Sequence, residues 1–294
     1  NGEVVVEGHY VGRLEGFRFA PDPRIKDNNS KQVMSAARTA LGRTIRERRA
    51  MIETAHDTQF GLDDSGIITW QRRLDTAAPG VPVARLRPGA APLSPGLEVI
   101  ADDDLLDNAD RDRVHDRLKT WLDRHIAARL APLKALEDTD ELPAQARGIA
   151  YQLHENLGVM RRADIADMIA DLDETARAAL KPKHIRFGPV HVYQPGLIKP
   201  APLRLRALLW ALYHGYDLPL DLPHDGASSV AVDQAGVNHS FYLMIGYPVY
   251  GGRAVRVDML DRLVGAIYDR AEKGQFTARH EWAEWLGCSI PDLY

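Results

Sequence analysis

One continuous apolar stripe constrains this chain more than any other feature. Between Leu105 and Leu136, the residues Val114, Leu118, Trp121, Leu122, Ile126, Leu130 and Leu133 recur at helical spacing. That spacing predicts a long amphipathic helix with one face committed to a core. Pro132 falls inside the pattern and predicts a kink or an end there. Such a helix needs other layers to cover it. Further helices are expected at Ala144–Leu157, at Ala163–Ala170 and around Thr175–Leu180, so residues 101–182 read as a helical layer.

The first hundred residues have a different texture. Val4, Val6, Val11, Phe17 and Phe19, broken by Gly8, Gly12 and Gly16, predict two short strands and a tight turn. A proline- and aspartate-rich loop follows at Pro21–Ser30. Ser30 is placed to cap a helix running to about Ala55, with Val33, Ala37, Leu41, Ile45 and Ile52 on its apolar face. Ile67, Ile68 and Trp70 after an Asp63–Gly66 turn, then Val81, Val83 and Leu86, then Leu97, Val99 and Ile100, predict three β runs. Pro79, Pro82, Pro88, Pro92 and Pro95 argue that these are edge strands or loops. Residues 1–100 read as a small mixed α/β unit.

The remainder, 183–294, is a mixed segment. Ile185, Phe187, Val190 and Val192 are β-like. A helix is expected from Pro202 to a stop at Gly215, and Val230, Val232, Val249, Val255 and Val257 are β-like again. Met259, Leu260, Leu263, Ile267 and Ala271 predict a helix ending near Gly274, and Thr277 a second one through Leu286. Gly287 then gives a turn, and Ser289 with Asp292 caps a third. Helix, short helix, glycine turn and capped helix make a helix-turn-helix-like end, with three packed helices as the plain alternative. The fold class expected is α+β, predominantly helical.

Composition sets limits on function. The chain has 294 residues, 45% hydrophobic and 27% charged, as an ordinary globular protein has. No apolar run approaches the ~20 residues of a membrane span, so no membrane partner is expected. Cys288 is the only cysteine, which excludes an intrachain disulfide and a multi-cysteine zinc site and fits a cytoplasmic location. The net charge is -4, with 14 Lys/Arg against 12 Asp/Glu in 1–100 and 8 against 12 in 101–150. Any surface for nucleic acid must therefore be local. The chain begins at Asn1 rather than an initiator Met and stops at Tyr294 as a helix begins, so it reads as a segment of a larger protein.

No catalytic constellation stands out. There is no phosphate loop with its lysine and hydroxyl, no DExH box and no serine elbow. Gly251-Gly252-Arg253 reads as a hairpin turn, and Asn238, His239 and Ser240 are neighbours in sequence rather than a triad. No histidine pair has the spacing of a helical zinc site, and Cys288 reads as a small buried hydrophobe. No catalytic residue, metal ligand or cofactor is expected in this chain.

Basic clusters remain. Arg43, Arg46, Arg48 and Arg49 crowd one helix, with Arg38 upstream. Lys181, Lys183, His184 and Arg186 form a second cluster, Lys199, Arg204 and Arg206 a third, and Arg253 and Arg256 a fourth. Phe187, Tyr193, Trp210, Tyr213, Tyr247 and Tyr250 are interleaved. Cations for phosphates and aromatic faces for bases are the chemistry of single-strand binding. The candidate contacts are Arg43, Arg46, Arg49, Lys183, Arg186, Lys199, Arg204, Arg206, Arg253 and Arg256. Each cluster also has a plain explanation, a solvated charged face.

Several stretches carry a resemblance: Glu7–Gly12 with Leu14 and Gly16–Phe19, Pro82–Leu86 with Pro92–Pro95, Ile185–Gly188 with His191–Tyr193, Leu197–Pro200, Leu203–Gly215, Arg253–Leu260 and Leu286–Ser289. Together they resemble the C-terminal region of alphaproteobacterial helicase-related proteins, relatives of the DExH RNA helicase of the mitochondrial degradosome. The resemblance implies a motor of two RecA-like domains N-terminal to Asn1, which would bind ATP and Mg and move along a strand. It implies that this chain is a non-catalytic accessory module flanking that motor, with single-stranded RNA or DNA as partner. The rival expectation is a scaffold whose helices 105–180 dock a nuclease or ribosome-associated protein.

Overall fold

The apolar patterns close into helices and small antiparallel sheets, 49% helix and 22% strand, an α+β fold that is predominantly helical. The structure is a computed structural model. It describes residues 2–6, 8–24, 27–75, 79–102, 105–271, 274, 280–289 and 291, with the backbone alone at 27–34 and 38. The chain divides into two compact units, 1–125 with 208–220, and 126–207 with 221–294. These units cut across the segments 1–100, 101–182 and 183–294 laid out from the sequence.

The first unit opens with a meander of β1 (Glu3–Val6), β2 (His9–Glu15) and β3 (Arg18–Pro21), three strands where two are expected. Gly16 makes the two-residue turn between β2 and β3. Its φ of 58° and the Pro82 carbonyl, 2.2 Å from where a Cβ would stand, leave room only for glycine. Helix α1 (Asp27–Thr54) begins before Ser30, which lies inside it rather than capping it. It buries Ala37, Leu41, Ile45 and Ile52 of the expected stripe, and the Val33 side chain lies outside the described residues. Then come β4 (Phe60–Leu62), β5 (Ile67–Trp70), β6 (Val81–Ala91) and β7 (Ser94–Val99), one antiparallel sheet in chain order.

Strand β6 differs from its expected reading. It is an inner strand of 11 residues that contains both Pro82 and Pro88. The register shifts beside each, between Ile68 and Thr69 opposite Pro82 and between Arg87 and Ala91 around Pro88. A bulge spares the missing N–H a ladder position, which is how an inner strand tolerates proline. The Asp63–Gly66 turn forms as expected, with the Asp63 carboxylate accepting from the Ser65 and Ile67 amides at 2.9 Å.

Helix α2 (Asn108–Arg129) buries Val114, Leu118, Trp121 and Leu122. Its Arg117 donates to Asp57 at 2.6 Å and lies over the Phe60 ring, and the Trp121 indole donates to the Asp57 carbonyl at 3.1 Å. The stripe breaks where proline demands it: Leu130 leaves helical geometry, and α3 (Ala131–Glu137) restarts with Pro132 in its first turn.

The second unit continues with α4 (Ala144–Glu155), β8 (Val159–Arg161), α5 (Ala166–Ala170), α6 (Glu174–Leu180), β9 (Arg186–Phe187) and β10 (His191–Tyr193). Strand β8 corrects the purely helical reading of 101–182. Leu157 and Gly158 take φ of 50° and 90° and reverse the chain after α4, and Met160 then pairs with Val192 in a sheet ordered β8-β10-β9. Helix α7 (Pro200–His214) follows and stops at Gly215, its last turns counting with the first unit.

Strand β11 (Ser229–Ala231), α8 (His239–Met244), β12 (Val249–Tyr250) and β13 (Arg253–Val255) come next. Gly251-Gly252 does make a hairpin turn, between β12 and β13. Asn238, set aside above as part of a false triad, caps α8 by accepting from the Phe241 amide at 2.9 Å. Val257 opens helix α9 (Val257–Ala271) rather than extending a strand, and α10 (His280–Leu286) follows. Thr277 and most of the third helix expected from Ser289 lie outside the described residues, so the helix-turn-helix-like reading lies there too. Cys288 is half-buried against the cluster of Val255, Leu260 and Leu286. Among the described residues, no helix is long and apolar enough to cross a membrane.

Candidate nucleic-acid interface

The first unit carries a groove of about 800 Å³ lined by Arg13, Glu15, Arg48, Trp70, Arg72 and Arg73. Three elements build it. Arg13 and Glu15 are the outward positions of β2, on either side of buried Leu14. Arg72 and Arg73 leave the end of β5, and Arg48 reaches up from α1 to donate to the Gly16 carbonyl at the β2–β3 turn.

The charges in this groove are unevenly matched. Arg73 is held by Asp75 at 2.6 Å. Arg13, Arg48 and Arg72 have no ion pair among the described residues, and Glu15 is the only carboxylate in the lining. Burial lowers the Arg48 guanidinium from its ordinary value, and the neighbouring Arg72 charge lowers it further. Arg48 thus faces another cation where a carboxylate would relieve it. Trp70, 3% exposed, keeps an indole N–H at the groove wall without an acceptor among the described residues.

The candidates read from the sequence scatter. Arg43 and Arg46 are exposed on α1, Arg43 paired with Glu47 at 2.9 Å. Arg49 is tied to Glu53 at 2.7 Å and Asp110 at 3.2 Å. Lys183 is largely buried and donates to the Asp138 carbonyl at 2.6 Å. Arg186 is exposed, 3.9 Å from Asp261. Arg253 donates twice to the Ser229 hydroxyl, at 3.0 and 2.9 Å. Only Lys199, Arg204 and Arg256 come together, around a smaller pocket in the second unit.

Arg206 requires a correction. It is 0% exposed and has no surface to offer a phosphate. Its guanidinium donates to three backbone carbonyls, Leu157 at 2.7 Å, Met244 at 2.6 Å and Leu197 at 2.8 Å. Burial pushes it down to about 9, so it keeps its proton at neutral pH. Two aromatics also leave the candidate surface: Tyr193 and Tyr247 are each 3% exposed, bonded to Asp261 and to the Ala227 carbonyl. Trp210 instead stacks between His214 and Tyr216, with centroids at 4.0 and 5.3 Å.

The groove was missed in the sequence because Arg13, Arg48 and Arg72 are far apart along the chain. The usable signal was the alternation in β2, which turns Arg13 and Glu15 outward. Among the described residues, no three His, Cys, Asp or Glu side chains are grouped to hold a metal ion. No protein-family model, no curated protein and no solved structure matches this chain.

Proposed function

We propose that this chain is a non-catalytic module that contacts single-stranded nucleic acid, with the arginine groove of the first unit as its strand-binding surface. The setting is the one that the resemblance implies, beside the motor domains of an ATP-dependent helicase. One observation carries the reading: Arg48, half-buried, sits next to Arg72 with no carboxylate paired to either among the described residues. A phosphate between them would lower that repulsion, and the unpaired Arg13 extends the row. The net charge of -4 argues for a local site rather than extensive contact.

The test is binding of labelled single-stranded RNA and its DNA counterpart across a salt series. Three phosphate contacts give a log–log slope of about -2, since each single-strand contact contributes about -0.7. The Arg13→Glu/Arg72→Glu double variant is expected to lose at least tenfold in affinity at low salt. Absence of binding at ~20 mM salt, where phosphate contacts are strongest, or an unchanged double variant, would sink the proposal.

The rival scaffold reading has one observation on its side. An apolar groove of about 700 Å³ runs along α4, beside Tyr151, which is 59% exposed. That reading expects the arginine double variant to change nothing.

A further inference from the structure

The second unit holds a pocket of about 340 Å³ built from four separate stretches: the turn before α7 with the start of that helix, the loop at 223–226, Tyr247 and the start of α9. Its cations are Lys199, immediately before α7, Arg204, in the second turn of α7, and Arg256, immediately before α9. Its carboxylates are Asp225 and Asp258. The two arginines are fixed in place. Arg204 donates to Asp225 at 2.9 Å, and Arg256 donates to both oxygens of Asp258 at 2.6 and 3.1 Å and to the Ala227 carbonyl at 3.2 Å. Lys199 is exposed, and its ammonium has no hydrogen bond or ion pair among the described residues.

The floor of this pocket is stiff. Arg206 ties the Leu197 carbonyl, two residues before Lys199, to the carbonyls of Leu157 and Met244. Pro195, Pro200 and Pro223 restrict the backbone around the rim. A site already ordered before binding loses little on accepting a ligand. Its volume sits at the lower end of the ~300–1,000 Å³ of small-molecule sites.

The charge pattern narrows the ligand. A ligand that is only anionic would meet Asp225 and Asp258, and one that only donates would face three cations. A molecule with both, a phosphate and free hydroxyls, satisfies the whole set. We infer that the pocket binds a ribose phosphate monoester of the ribonucleoside-monophosphate class. Lys199 takes the phosphate, and the two arginines beside it add positive charge. The sugar hydroxyls donate to Asp225 and Asp258, as ribose hydroxyls do to acidic residues in dinucleotide sites. The proline and leucine wall receives the base. This inference stands on the second unit alone and does not need the strand groove.

The experiment is titration calorimetry of the whole chain with AMP, ribose 5-phosphate, adenosine and inorganic phosphate. AMP is expected to bind in the micromolar to millimolar range. Adenosine and phosphate should bind at least tenfold more weakly. AMP binding tighter than ribose 5-phosphate supports the base-receiving wall, and equal binding overturns the assignment to the ribonucleoside-monophosphate class. Lys199→Ala, on an exposed side chain, is expected to weaken AMP at least tenfold, and Lys199→Arg to restore most of it. No AMP or ribose 5-phosphate binding up to ~5 mM, well above a 1 mM dissociation constant worth about 4 kcal/mol, overturns the inference. So does adenosine or phosphate binding as tightly as AMP, or a Lys199→Ala variant that binds AMP normally. The Arg13→Glu/Arg72→Glu variant should keep AMP binding, so the two proposals fail separately.

Discussion

Two clusters, one in each unit, use arginine in opposite ways. In the first, Arg13, Arg48 and Arg72 gather at a groove with one carboxylate among them. In the second, Arg206 is withdrawn from solvent onto three backbone carbonyls, and Arg204 and Arg256 are each held by an aspartate. A density of arginines along the sequence therefore says little about binding. What matters is what the fold sets beside each guanidinium: a carbonyl cage makes it part of the core, a carboxylate orients it, and a second guanidinium leaves a charge for a ligand to neutralise.

The largest test of that contrast is Arg206→Ala. Three buried carbonyls would lose their donor and a cavity would open, at a cost of about 3–5 kcal/mol of stability. Urea unfolding at neutral pH would measure it. A loss under about 1 kcal/mol, the net worth of an average hydrogen bond, would mean that water replaces the clamp and that Arg206 belongs with the exposed arginines after all.

The second unit also holds a buried histidine whose effect depends on pH. His191 is 1% exposed, edge-on to the Tyr250 ring at 6.3 Å, and its Nδ1 has no partner among the described residues. Burial, and then the Arg161 charge, push it down to about 4, with Asp164 pulling the other way. The unfolded chain protonates this histidine near 6.5 while the folded one keeps it neutral. Its contribution is fully present above 6.5 and is lost as pH falls toward 4, about 3 kcal/mol in all. His191→Phe should flatten that stretch of the stability–pH curve, read by unfolding at pH 7 and pH 4.5. Asp261 acts with the opposite sign. Burial raises its carboxyl, so it costs stability as pH climbs above the ordinary carboxylate range, and Asp261→Asn should stabilise at pH 7 more than at pH 4.

How much of this was legible depended on the range of the forces involved. The α2 stripe was legible because a 3.6-residue period is local, and Pro132 marked its end for the same reason. The hairpin at Gly251-Gly252 was legible from the glycines alone. Strand β8 was not, because three residues cannot display a period. Its pairing is set by the reversal at Leu157-Gly158 and by the distant Val192. Helix α8 left a signal that went unused, an asparagine before an apolar run. The groove was the least legible feature, since the proximity of Arg48 to Arg72 exists only once β2, α1 and β5 have packed.

The smallest expected effect lies within a single helix and refines the same comparison. Arg43 and Arg49 belong to one basic cluster on α1, and both make an i,i+4 ion pair. The Arg43 side chain is 87% exposed, the Arg49 side chain 16%. An exposed pair in high dielectric is worth about 0.3–0.5 kcal/mol and is screened by salt, so Arg43→Ala should cost no more than that, and nothing measurable at high salt. Arg49 has a second carboxylate in Asp110, and its removal leaves the partly buried Glu53 unpaired and Asp110 with only Arg113, at 3.9 Å. Arg49→Ala should cost several times more and resist salt. If the two variants prove equal, burial is not what separates structural from available arginines here, and the argument for the groove loses its basis.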